Sequence, residues 1–412
     1  MTVLIAGGGI AGLSLALTCA EIGVPFRVFE AAREMRPLGV GINIQPNAVR
    51  ELFDMGLEAD LRAIGVETQE YGFFAKTGRE IWVEPRGLGA GYAWPQFSVH
   101  RGELQMMLAR AVEDRAPGCV ETGRRAVGFE NGTDGAVLIF EDGTRVDGDI
   151  IIAADGVHSA LRAQMQPDEG PPIWNGAVLW RATTRAKAFR TGASMALIGH
   201  GTQRIVTYPI STPDAEGLSV MNWIAELVFD PADGWSKNDW NKAVDPSVFM
   251  PKFADWKFDW LDFPAMVAGA GDVFEYPMVD RDPLDQWTHG RVTLMGDAAH
   301  ATYPVGSNGA SNAIVDARVL GAAIVKHGVT PVALEAYEAK MRPLTTALIN
   351  ANRGEGPDAI MQWVEDLSGG VYDDIEDVIP RAKLAAHADR YKRIAGFSID
   401  ELNRQPRTIE PR

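Results

Sequence analysis

Thr2 to Ala6 is a short apolar run. A short run without alternation predicts a strand buried on both faces, as in a parallel sheet. The period then changes. From Gly12 to Ile22 the apolar positions recur at helical spacing, and Gly23-Val24-Pro25 ends the helix because Pro cannot continue one. Phe26 to Phe29 returns to a buried strand and stops at Glu30. Pro46 to Met55 reads as a helix closed by Gly56. Residues 68–99 are strand-like, and Arg101 to Val112 is an amphipathic helix with Leu104, Met107, Leu108 and Ala111 on one face. Val137–Phe140, Gly143 and Arg145–Val146 predict a hairpin, and Asp149–Ala153 a further buried strand.

The texture changes between about Trp174 and Tyr276. Alternating runs at Val178–Thr184, Arg204–Pro209 and Ser219–Ala225 predict an antiparallel sheet with one packed and one open face. The parallel-sheet pattern resumes at Arg291, and helices follow from Gly309 to His327 and from Pro331 through Ala351. The expected organisation is a discontinuous α/β domain from 1–70, 97–174 and 275–350, a β-sheet domain from 71–96 and 175–274, and a helical C-terminal segment, 351–412. No motif marks that last segment, which reads as packing or interface.

A chain of 412 residues suits such a division. Its formal net charge of −16 excludes a nucleic-acid binder, which needs clustered Lys and Arg against phosphates. No stretch is long and apolar enough to cross a bilayer, and no basic, cleavable leader precedes the first strand, so a cytoplasmic protein is expected. Cys19 and Cys119 form no Cys-x-x-Cys pair and read as packed thiols. The seven histidines have no metal-binding spacing, so no metal is expected.

Candidate chemistry starts at Gly7-x-Gly9-x-x-Gly12, with Ile10 and Ala11 inside it. These glycines allow a tight turn and close approach of backbone to a pyrophosphate, and the following helix offers unpaired N–H groups. Glu30, followed by Ala31, stands where a carboxylate accepts ribose hydroxyls and disfavours a 2′-phosphate. FAD or NAD is therefore expected rather than NADP. A ligand-free glycine turn is the bland alternative, and the strand–helix–strand–acid context argues against it. Gly296-Asp297 again follows a buried strand, and a carboxylate there suits a polyol. Gly306-Ser307-Asn308-Gly309, running into Ala310, enters a helix whose dipole suits negative charge on a flavin.

These motifs, with Ala154-Asp155-Gly156-Val157-His158-Ser159-x-x-Arg162 and Gly296-Asp297-Ala298-Ala299-His300 followed by Pro304, Gly309 and Asp316, resemble the group A flavoprotein monooxygenases. These are single-component aromatic hydroxylases of the para-hydroxybenzoate hydroxylase type. The resemblance covers roughly residues 1 to 350. It implies a Rossmann-like, glutathione-reductase-type FAD-binding domain carrying an inserted mixed or antiparallel substrate-binding sheet. It further implies non-covalent FAD, NADH or NADPH as transient co-substrate, and oxygen transfer from O2 through a flavin C4a-hydroperoxide. Arg101 and Gln105 match the family's FAD-contacting helix start, Gly41 lies in the loop matching the one beside the flavin ring, and Asp155, Gly156 and Arg162 match the motif linked to FAD and NAD(P)H.

The inserted block, with Leu179-Trp180-Arg181, Tyr208-Pro209-Ile210-Ser211 and Asn222-Trp223, is similar to that of phenazine hydroxylases of pyocyanin synthesis. A small aromatic or heteroaromatic substrate is implied, with or without decarboxylation, on a monomer or homodimer. Tyr208, Met221, Trp223, Tyr303 and Pro304 are the candidate pocket residues. Tryptophans of such a sheet are more often packing than substrate platform, and Asp155 with Arg162 could simply tie a loop to a helix. His158 and His300 read as satisfied structural histidines. Alternatives are an FAD-linked reductase or epoxidase on the same scaffold, or a flavin-binding regulator.

Overall fold

In the computed structural model, which describes residues 1–230 and 242–410, the first apolar run becomes strand Val3–Ala6. It lies inside a six-stranded sheet ordered Thr288–His289, Val292–Leu294, Ile150–Ala153, Val3–Ala6, Phe26–Glu30, Val120–Thr122. Every neighbouring pair is parallel except the first. Register then does something no single segment predicts. Ala6 pairs with both Ala153 and Phe29, and Ala153 with Leu294. The strand ends before Gly7, Ala154-Asp155-Gly156 and Met295-Gly296-Asp297 therefore stand side by side, with Glu30 next to them. Three motifs spread over almost three hundred residues meet along one carboxyl edge, where open parallel sheets bind ligands.

Helix Ile10–Ile22 packs against helices Gly309–His327 and Arg101–Arg115. Leu13, Leu17, Leu104, Leu108, Ile314 and Leu320 are fully enclosed in the shared core, each worth about 1.5–3 kcal/mol of burial. The helix starts two residues before the expected Gly12, since Gly9 already serves as its N-cap.

The second sheet has eight strands: Lys242–Val244, Val273–Asp280, Ile173–Ala186, Ser219–Val228, Gln203–Pro209, Ser194–His200, Glu70–Phe74 and Glu80–Pro85. It is mixed, because Ser194–His200 runs parallel to Glu70–Phe74 while the other pairs are antiparallel. Strand Val273–Asp280 crosses residue 274, where the sheet was expected to stop. Its pairing with Ile173–Ala186 carries it on to Asp280. Residues 231–241 of the expected insert lie outside the described residues.

One face of this sheet is a dry core of Trp180, Met221, Trp223 and Ala225 against Phe249, Phe253 and Phe263. The other faces the first domain. The C-terminal segment forms helices Ala359–Ser368, Arg381–Ile394 and Ile399–Arg404. Ile360, Met361, Val364 and Leu384 cover Tyr71, Phe73 and Ile81 at the sheet's far end. The chain then returns to the first domain, where Ile409 joins the core and Thr408 Oγ1 donates to Glu51 Oε1 at 2.7 Å. No helix among the described residues is long and apolar enough to cross a membrane.

Candidate cofactor and substrate site

The glycine turn is shaped by what a side chain would strike. Gly7 has φ +109°, and a Cβ there would run into the Ala154 carbonyl, while one at Gly12 would run into the Gly7 carbonyl. Gly9 differs: a Cβ would meet nothing within 4 Å. That side of the turn is open to a cavity of ≈ 350 Å³. Helix Ile10–Ile22 has no side-chain cap and no acid in its first turn, which leaves its leading N–H groups for an anion. Glu30 braces the turn, accepting from the Gly8 N–H through Oε2 and the Ala32 N–H through Oε1, each at 2.7 Å. Gln105 Nε2 donates to the Gly8 carbonyl at 2.8 Å. Ala31 follows Glu30 at the strand end, half-buried.

The cavity runs from Gly9, Ile10 and Ala11 past Arg101, Gly41 and Gly156 to Asp297. It then continues along Pro304, Gly306, Gly309 and Ala310. Here a second helix, Gly309–His327, also begins without a side-chain cap or an acid in its first turn. Gly296 has φ +60°, and a Cβ there would press to 2.9 Å from Ala11 Cβ. Glycine thus lets the first and last motifs touch. Two uncapped helix N-termini, an open glycine turn and an exposed carboxylate, Asp297, share one cavity, and that donor set fits a dinucleotide with a polyol chain.

Asp316 accepts from the Gly296 N–H at 3.0 Å and pairs with His300 Nε2 at 2.6 Å, both side chains fully enclosed. Burial works against a charged His300, but the Asp316 carboxylate outweighs it and holds the imidazole above its usual pKa. The glycine-rich turn has a support that no sequence signal announced. Tyr391, from the C-terminal segment, receives Asn308 Nδ2 at 2.7 Å and donates to Asn352 Oδ1 at 2.8 Å. Gln45 Nε2 donates to the Gly306 carbonyl at 3.1 Å.

Two residues of the middle motif stand elsewhere than expected. Asp155 and Arg162 do not pair with each other. Asp155 holds the start of helix Ala160–Met165, accepting Ser159 Oγ at 2.6 Å and the Ala160 N–H at 2.9 Å, and burial raises its pKa despite those bonds. Arg162 is fully buried and does not line the cavity. Its donors go to Glu169 and to the carbonyls of Ala298, Ala299 and Asp282, so it anchors the Gly296–His300 turn from behind.

On the second sheet, Tyr208 lines the cavity. Met221 and Trp223 do not: strand alternation turns both to the dry face, where the Trp223 ring meets Phe263 edge-on at 5.7 Å and Nε1 donates to Thr184 Oγ1 at 3.0 Å. Tyr303 packs beside the cavity with Leu179, Ile224 and Met278, directed at Asp280. Asn222, between Met221 and Trp223, takes the opposite face, as does Arg181 on the neighbouring strand. Asn222 Oδ1 accepts the Gly41 N–H at 2.8 Å, and its Nδ2 has no partner among the described residues. Arg181, next to Trp180, lines the cavity with Nε unpartnered and no carboxylate paired to it among the described residues. Its guanidinium lies 5.7 Å from the centre of the Tyr276 ring. Burial, reinforced by Arg101, draws its pKa below the usual arginine value, although Tyr208 and Tyr276 oppose this. Burial likewise pushes the Tyr208 hydroxyl well up, against Arg181, so it keeps its proton.

A family model described as FAD binding domain matches residues 1–240 and 275–352. Phenazine 1,6-dicarboxylic acid hydroxylase of Lysobacter antibioticus is 41% identical over 85% of this chain and 89% of its own length. Salicylate hydroxylase of Pseudomonas putida is 28% identical, covering 83% and 82%. Among solved structures, HpxO of Klebsiella pneumoniae with FAD and uric acid superposes with a TM-score of 0.75 at 23% identity, covering 98% of this chain and 96% of that one. These likenesses do not favour a reductase or epoxidase. The chain belongs to the FAD binding domain family and is an FAD-dependent aromatic monooxygenase.

Proposed function

We propose that the protein hydroxylates a fused N-heteroaromatic carboxylic acid, with NADH or NADPH as reductant and O2 as oxidant, acting on freely diffusing metabolites in the cytoplasm. One observation carries the substrate class: Arg181, a guanidinium with no carboxylate paired to it among the described residues, which lines the cavity beside Leu179, Ile224 and Val206. A buried cation without a partner is costly, and a planar carboxylate meets its fork with two charge-assisted bonds. The 41% identity to a phenazine dicarboxylic acid hydroxylase supports the fused ring.

The proposed division of labour assigns FAD to the block 1–70, 97–174 and 275–350 and the substrate to the eight-stranded sheet. The N–H groups at Gly9–Ala11 hold the pyrophosphate, with Glu30 at the ribose, since each oxygen engaged by one N–H still accepts another donor. Asp297 takes the ribityl hydroxyls, and the N-terminus of Gly309–His327 stabilises negative charge at the ring. When bound, FAD supplies hydride acceptance and O2 activation. The protein's own part is orientation and dryness. Arg181 fixes the acid, the Tyr208 hydroxyl donates to a ring heteroatom, and Leu179, Val206, Leu197 and Ile224 keep water from the reacting face.

The deciding experiment incubates the FAD-loaded enzyme with phenazine-1-carboxylate, NADH or NADPH and ¹⁸O2. Stimulated nicotinamide oxidation and a product carrying one labelled oxygen are expected. Turnover that continues without O2, or oxidation yielding hydrogen peroxide alone, would overturn the reading.

A further inference from the structure

Away from Arg181, the same cavity ends in three charged side chains. Arg204 Nη2 donates to Glu226 Oε1 at 2.6 Å, the two being direct cross-strand partners. Arg204 Nη1 pairs with Asp358, which comes from the C-terminal segment just before helix Ala359–Ser368. The side chains of Arg204, Glu226 and Asp358 are only 11%, 6% and 12% exposed, and all three line the cavity. Burial works against the charge on Arg204, but the two carboxylates more than reverse this and hold it firmly charged. One cation against two anions leaves this end with a net charge of −1.

The other end has the opposite sign. Arg181 pairs in register with Ile224, and Ile224 with Val206, so Arg181 and Arg204 sit two strands and two residues apart on one face. Strand spacing and rise put their Cα atoms about 12 Å apart. Leu179, Ile224, Val206 and Leu197 form the apolar wall between them. The cavity floor is therefore an apolar stretch with a cation unpaired among the described residues at one end and an over-compensated one at the other.

We infer that the Arg204–Glu226–Asp358 trio is a specificity filter that accepts a neutral or cationic far end of the substrate and rejects a second carboxylate. The inference rests on the proposed hydroxylation of a heteroaromatic acid. A second carboxylate would lie beside net negative charge in a medium that screens poorly, and both Arg204 ends that could receive it are already engaged. In this the chain departs from its Lysobacter relative, whose name specifies a dicarboxylic acid. It also gives the C-terminal segment, through Asp358, a direct share in choosing the substrate.

The test is equilibrium binding to the FAD-loaded enzyme without reductant, followed by the change in flavin absorbance. Three probes are compared: phenazine-1-carboxylate, phenazine-1,6-dicarboxylate and the half methyl ester of that diacid. The monoacid is expected to bind at least about tenfold more tightly than the diacid. The half ester, as bulky as the diacid but with the second charge removed, should bind like the monoacid. Asp358→Asn should narrow the monoacid-to-diacid ratio by about tenfold, and Glu226→Gln/Asp358→Asn, which frees Arg204, should invert it. A diacid that binds wild type as tightly as the monoacid overturns the filter, as does a half ester rejected like the diacid, since size would then decide. A ratio unmoved in both variants also overturns it. If a variant fails to retain FAD, the three wild-type constants still decide. Failure of all three probes to bind sinks the proposed substrate class instead, a result distinct from binding without discrimination.

Discussion

The two faces of the eight-stranded sheet are made by the same strands, and one residue of offset separates them. On the dry face Trp180 stacks on Phe249 at 4.9 Å and gives its Nε1 to Glu275 at 2.9 Å. Trp223 finds both an edge-on ring and a hydroxyl acceptor. Their neighbours Arg181 and Asn222 turn to the opposite face, each with a polar atom left unpartnered among the described residues, and of the two Arg181 lines the cavity. A core satisfies its polar atoms from within, because leaving one unpaired costs about 1–3 kcal/mol. A binding face leaves them to the ligand. The contrast recurs at the parallel sheet's edge. Asp316 is fully buried with its Oδ2 shared by the Gly296 N–H and His300, whereas Asp297 faces the cavity with its carboxylate exposed.

Substitutions on opposite faces should fail in opposite ways. Trp223→Ala empties a large core site and should cost about 3–5 kcal/mol of stability, read by chemical denaturation. Retained stability with an altered substrate KM would break the distinction between the faces. Arg181→Met should leave the melting temperature unchanged or higher, since a buried charge is removed, while kcat/KM for the acid falls about 100-fold, mostly through KM. An equal loss for a substrate lacking the carboxylate would contradict the proposed contact.

Of the two carboxylates, Asp297→Ala should weaken FAD binding about 10- to 100-fold with the fold intact, measured by flavin fluorescence on titration. A fully yellow purified variant would remove Asp297 from the ribityl role. The smallest effect belongs to the paired one. His300 has its pKa raised above the ordinary 6.5 in the folded protein, so its contribution to stability is complete below that unfolded value and is lost as pH rises through the folded one. The stability gap between wild type and His300→Gln should therefore be largest below the ordinary histidine pKa and shrink as pH rises above it in thermal melts. A gap independent of pH would mean that the imidazole never carries charge there.

The elements themselves were legible because their causes are local. Val3–Ala6 lacks alternation, Gly7 and Gly9 stand at a fixed offset before a helix, and Gly23-Val24-Pro25 can only stop one. The glycine turns and uncapped helix starts that frame the cavity followed, since they are features of strand ends and helix starts. The substrate half was misread at Met221 and Trp223 for an equally plain reason. Alternation says that neighbours take opposite faces but not which face is the core, and large aromatic side chains drew attention to the wrong one. That choice was made by Phe249, Phe253 and Phe263, which cover one side, and by the first domain, which faces the other.

By itself the sequence determined the cofactor: glycines and acids at set distances from buried strands mark a dinucleotide site, because helix termini and tight turns are properties of short segments, and the motifs' resemblance to a flavoprotein family named it FAD. Only the tertiary structure decided what that cofactor meets. Arg181, unpaired among the described residues, is one such feature; the Arg204–Glu226–Asp358 trio, which joins 204 to 358, and the Tyr391 prop, which joins 391 to 308, are others. A charge without a partner, or with one too many, is a relation between distant side chains and exists only once the chain has folded.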